Sequence, residues 1–68
     1  MVLKWTSVDE IAELLHDGQP DRDPLGVRFT ELRDLIMALP GFEDDPAHLN
    51  EKILEAVQMA WFEEFKAD

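Results

Sequence analysis

The sequence predicts a mainly α, compact three-helix domain with at most a minimal extended element. Three observations carry that expectation. Apolar residues recur at spacings of three, four and seven in three separate stretches. Residues that favour helix starts precede each stretch, and glycine or proline follows the first two. The segments between them are short and rich in turn formers. With 68 residues the chain lies near the lower size limit for independent folding, so 1–68 is read as one domain.

The first helix is expected from Ser7 to Asp17. Ser7-Val8-Asp9-Glu10 matches a capping box, a hydroxyl followed three residues later by a carboxylate, and Thr6 offers a cap one residue earlier. Val8, Ile11, Ala12 and Leu15 supply the inward side, Asp9, Glu10, Glu13 and Asp17 the outward one, and Gly18 the stop. Gln19 to Gly26 reads as a loop in which Asp23 caps a short turn opened by Pro24. Val27-Arg28-Phe29 reads as an extended piece that lays Val27 and Phe29 on the core. Thr30 is the next cap candidate, ahead of Leu32, Leu35, Ile36 and Leu39, and Pro40-Gly41 ends that helix. Asp45-Pro46 repeats the acid-proline device. The last helix starts there or at Asn50 and runs to Phe65, burying Ile53, Leu54, Val57, Ala60, Trp61 and Phe65. Lys66 suits the C-terminal end of its dipole.

Charge narrows the function. Sixteen acids against six bases give a net charge of −10. Nucleic acid and anionic membrane are poor partners for such a surface, because phosphates are neutralised by Lys and Arg. Cations and basic protein surfaces are the natural ones, although high charge also serves solubility alone. Without cysteine there is no disulfide, thiolate metal site or cysteine nucleophile. The opening residues lack a secretory apolar stretch, and no apolar run reaches membrane-spanning length, so a soluble cytoplasmic protein is expected.

Tested motif by motif, the chemistry is sparse. Asp21-Arg22-Asp23-Pro24-Leu25-Gly26 resembles a calcium loop only superficially: position 5 is Leu25, position 12 is Leu32, and proline occupies position 4. Glu43-Asp44-Asp45 offers hard oxygen donors, with Asp21 and Asp23 as donors from a second segment. The competing reading is that acids here stabilise a helix start by roughly 0.3–1 kcal/mol each. Asp9, Glu13 and His16 also share a helix side, as a weak ligand set or as a partly exposed histidine with one hydrogen bond. His48 stands beside the acid run. Trp5 and Trp61 serve as core or as partner anchors. Arg28 and Arg33 pair internally with Asp21, Asp23 or Asp34, or meet an acidic patch on a partner. Ser7, Thr6 and Thr30 lack a base and an orienting acid, and a cleft for substrate is hard to build at this size. No enzymatic activity is expected.

Leu3-Lys4-Trp5-Thr6, then Pro20-Asp21-x-Asp23-Pro24-x-x-Val27-Arg28-Phe29-Thr30-x-Leu32, Phe42-x-Asp44-Asp45-Pro46 and Asn50-Glu51-Lys52-Ile53-Leu54-Glu55-Ala56, with Trp61 and Glu64, occur in one order. Together they resemble the IscX family, small acidic accessory proteins of bacterial iron–sulfur cluster assembly, from Leu3 to Glu64. The resemblance implies a winged-helix type of fold used without DNA. It implies binding to the cysteine desulfurase IscS, in concert or competition with frataxin or ferredoxin. It also implies weak iron binding by surface carboxylates and no tightly bound cofactor. Asp21, Asp23, Asp44 and Asp45 match acidic positions of the family pattern, as do Glu51 and Glu55, and Arg28 matches its Val-Arg-Phe-Thr segment. Arg33 and Leu35 depart from it, standing where members often carry His and Trp. Leu49 replaces a common Ser, and His16 sits at an often aromatic position.

The resulting expectations are concrete. Weak iron ligation falls to Asp21, Asp23, Glu43, Asp44 and Asp45. Partner contact falls to Asp44, Asp45, Glu51, Glu55 and Arg28 on a monomer. An iron donor or buffer independent of the desulfurase is the alternative. A DNA-binding winged helix is the third reading, opposed by the charge.

Overall fold

A computed structural model describes residues 2–67. Three helices, α1 (Val8–Gly18), α2 (Phe29–Met37) and α3 (Glu51–Ala67), are joined through two single 3-10 turns at Pro24–Gly26 and Pro46–His48. Among the described residues there is no strand and no β-hairpin. The extended element is one parallel bridge between Leu3 and Phe42. Leu3 donates its N–H to the Gly41 carbonyl at 2.8 Å, and Glu43 donates to the Leu3 carbonyl at 2.9 Å.

Most of the expected apolar positions make the core or pack against it, while Phe65, near the end of α3, is half-buried and outside the cluster. α1 and α3 form the main helix pair, the Pro24–Gly26 turn packs on α3, and α2 closes against both helices. Ile11, Ala12 and Leu15 of α1 meet Leu32 and Ile36 of α2 and Leu54, Val57 and Trp61 of α3, with Trp5 and Val27 completing the cluster. Each large side chain buried there stabilises the fold by roughly 1.5–3 kcal/mol. Gln58 ties the first turn to α3, its side-chain amide donating to the carbonyl of Pro24 at 3.0 Å and of Val27 at 3.4 Å.

Two local starts differ from expectation, and a third resolves its alternatives. Ser7 caps no α1 N–H; its hydroxyl instead accepts the Lys4 N–H at 3.3 Å, because Lys4 to Ser7 form a turn of their own. α2 begins at Phe29 and not after Thr30: Val27 and Arg28 are extended, and the chain turns helical directly afterwards. At the start of α3 both candidate caps are used. Asp45 caps the 3-10 turn, accepting the Ala47 N–H at 2.9 Å, and Asn50 caps α3, accepting the Ile53 N–H at 3.0 Å. His16 is buried while Asp9 and Glu13 are exposed, so those three do not share a surface. Position 16 lies one turn beyond Ala12, on the flank of the buried stripe.

Candidate functional site

The acid run is built into the fold through the N-terminal segment. The Leu3–Phe42 bridge brings Trp5 against residues 42–45, where its ring meets Phe42 edge-on with centroids 4.7 Å apart. Trp5 is fully buried, so both of its N–H groups need acceptors. The backbone N–H donates to Asp44 Oδ2 at 3.0 Å, and the indole Nε1–H donates to the Asp45 carbonyl at 2.8 Å. Asp44 Oδ1 accepts the Asp45 N–H at 2.7 Å and faces His48 Nδ1 at 2.9 Å. Lys4 Nζ donates to the Glu43 carbonyl at 2.5 Å.

Asp44 is thus an internal connector. Its carboxylate, only 13% exposed, spends both oxygens on the protein itself. The Trp5 N–H foremost, then His48 and the Asp45 N–H, hold its pKa down to about 2. Reciprocally, the hydrogen bond and charge of Asp44 raise that of His48.

The other expected site residues remain on the surface. Asp45 is exposed and gives one oxygen to its turn. Asp23 does the same for Leu25 N–H at 3.0 Å. Asp21, Glu43, Glu51, Glu55 and Arg28 are exposed. Arg33 pairs with Asp34 at 3.3 Å, and Arg22 with Glu31 at 2.6 Å. Nowhere among the described residues do three carboxylate or imidazole groups converge to hold a metal ion. The donor set therefore does not make a chelate, and with Asp44 engaged the acid run lacks its central ligand.

Charge is distributed unevenly along the chain. Residues 9–17 carry Asp9, Glu10, Glu13 and Asp17 with no Lys or Arg, whereas Arg22, Arg28 and Arg33 fall together in the middle segment. Residues 43–55 carry Glu43, Asp44, Asp45, Glu51 and Glu55 against Lys52. No helix among the described residues is long and apolar enough to cross a membrane.

Sequence reasoning missed the Trp5–Asp44–His48 connection. Two signals pointed to it: an amphipathic tryptophan ahead of the first helix needs an N–H acceptor, and Asp44 and His48 stand four residues apart across a turn.

A small acidic helical domain whose carboxylates are set on a fixed frame is the class these features define. The chain belongs to the iron-sulphur cluster assembly family, whose model matches residues 3–66. It is similar to the uncharacterized protein PA3808 of Pseudomonas aeruginosa, with 52% identity over 64 residues that cover 94% of this chain and 97% of that protein.

Proposed function

We propose that this chain is an IscX-type accessory protein, a cytoplasmic monomer without catalytic activity of its own, which docks on the cysteine desulfurase IscS. In this reading its helices are those of a winged-helix scaffold that has no nucleic-acid role. The observation that carries the proposal is the run of exposed carboxylates Glu43, Asp45, Glu51 and Glu55 around the start of α3, displayed on backbone clamped by Trp5 and Asp44. A fixed array of negative charge steers a basic surface toward it and loses affinity as salt rises. Asp44 acts as a positioning residue behind that array, and Arg28 reaches an acidic neighbour on the partner. Frataxin and ferredoxin compete for the same basic surface.

Iron is cargo in this reading. Exposed carboxylates without a converging donor set hold it weakly and choose poorly among hard cations. The test is binding to the desulfurase across a salt series, with and without ferrous iron. Glu43→Lys combined with Asp45→Lys is expected to weaken binding at least tenfold at low salt, and added iron to change it little. Unchanged affinity of that variant at low salt would overturn the docking proposal. A saturable iron-dependent gain would favour the donor alternative.

A further inference from the structure

The outer surface of α1 meets the N-terminal segment and the α2–α3 connection beside Leu3. Leu3, Glu10, Glu13, Leu14 and Pro40 line an open groove there, about 250 Å³ in volume. Three of its lining residues, Leu3, Leu14 and Pro40, are apolar, and the other two, Glu10 and Glu13, bring carboxylates. Leu14 is 38% exposed, although the stripe that α1 buries runs through Ile11, Ala12 and Leu15. It therefore contributes little to the core and presents its side chain at the groove.

The groove is smaller than the roughly 300–1,000 Å³ of pockets that hold small-molecule ligands. It suits one anchoring side chain. Its rim is electrostatically unmet, since neither Glu10 nor Glu13 is ion-paired with a described residue, while Arg22, Arg33 and Lys66 are paired elsewhere. Lys4, next to Leu3, gives its Nζ to the Glu43 carbonyl, and no Lys or Arg lies in residues 5–21. An apolar anchor flanked by positive charge complements both features: the aliphatic chain covers Leu14 and Pro40, and the cations meet Glu10 and Glu13.

We propose that this groove docks an extended peptide segment of a partner protein that carries one aliphatic side chain flanked by arginine or lysine. It deepens the docking function proposed above, through lining residues other than Glu43–Glu55. Together the two surfaces let one partner be held by a folded basic face and by a basic tail at once, which raises affinity without enlarging either contact.

The test uses a blocked five-residue peptide with a central leucine between arginines, titrated into the full ¹⁵N-labelled chain. Control peptides replace the leucine by serine, or the arginines by glutamine. Shift changes are expected at Leu3, at Glu10 to Leu14 and at Leu39 and Gly41, saturating for the first peptide and at least tenfold weaker for the serine control. The glutamine control is expected to bind a few-fold more weakly and with less salt dependence. Leu14→Ser, at a half-exposed position that leaves the core intact, abolishes the localised shifts. Its amide spectrum otherwise overlays that of the unaltered chain. Shifts spread evenly over Glu51, Glu55 and Glu63, or no saturable shift at the groove, would overturn the proposal. Desulfurase binding separates the two ideas. Loss of the peptide site with retained desulfurase binding removes the groove alone. A peptide that docks on a chain unable to bind the desulfurase removes the adaptor reading and keeps the groove.

Discussion

Two Asp-Pro turns, at Asp23-Pro24 and Asp45-Pro46, use the same local device and end up with different work. In each, the aspartate accepts the N–H two residues on, and proline fixes the first position of a 3-10 turn. At the first, the aspartate's own bond stays local and Asp21 before it is exposed, while the turn packs on α3 and is held there by the Gln58 amide. Before the second stands Asp44, whose carboxylate crosses 39 residues of sequence to the Trp5 backbone. One added acid adjacent to the second turn therefore supplies a side-chain clasp to the N-terminal segment that the first turn lacks. Acids of similar appearance in a sequence are not interchangeable; what distinguishes them is the donor that the fold delivers.

The clasp breaks most completely at its other end. Trp5→Ala removes a fully buried indole, its contact with Phe42 and a hydrogen bond to the Asp45 carbonyl. The expected loss is about 3–5 kcal/mol, comparable to the entire stability of many domains of this size. Urea unfolding followed by Trp61 fluorescence measures it, and a loss below about 1 kcal/mol would show that residues 42–45 hold their place without the N-terminal segment.

At the turns themselves, Asp44→Ala is expected to lower the unfolding midpoint clearly more than Asp23→Ala, which removes one cap at a cost of about 1 kcal/mol. Equal effects would erase the distinction between the turns. The pH dependence sharpens it. The folded pKa of Asp44 lies at about 2, below its usual 3.8, so its contribution is complete above 3.8 and is lost as pH falls toward 2. His48 is shifted the other way. Its contribution is complete below its usual 6.5 and is lost as pH rises through the higher folded value. The pair therefore supports the fold most between about pH 4 and 6.5. His48→Ala should cost stability at pH 5.5 and progressively less as pH rises above that window. Urea midpoints at five pH values decide it.

Local patterns were legible in the sequence because their causes are local. The stripe through Ile11, Ala12 and Leu15, the pair Leu32 and Ile36, and the run Leu54, Val57 and Trp61 follow from helical spacing and are buried as expected. Both Asp-Pro turns follow from the geometry of proline after a short carboxylate. Long-range matters were not legible. Nothing in residues 42–48 announces that Trp5 will arrive there, so Asp44 reads as one more surface acid. Ser7 matches a capping box, yet the turn from Lys4 competes for its hydroxyl. His16 reads as partly exposed because helical phase alone does not say how far around α1 the neighbouring elements reach. Of the expected site residues, the fold leaves Asp21, Asp23, Glu43, Asp45, Glu51, Glu55 and Arg28 exposed and draws in Asp44.

The smallest expected effect compares two glycines, one beside each turn. Gly41 holds φ at 84°, and its carbonyl accepts the Leu3 N–H that opens the bridge. A Cβ at that dihedral is strained by roughly 1–2 kcal/mol, whatever space surrounds it. Gly26 closes the first turn with ordinary backbone geometry, and a Cβ there meets nothing within 4 Å. Gly26→Ala should be neutral or stabilise by about 0.4–1 kcal/mol, chiefly by restricting the unfolded chain. Gly41→Ala should destabilise and also slacken the clasp, shown by faster amide exchange at Leu3 and Glu43. If both substitutions stabilise, the backbone at 41 is not held at positive φ, and the bridge that carries Trp5 to Asp44 does not depend on it.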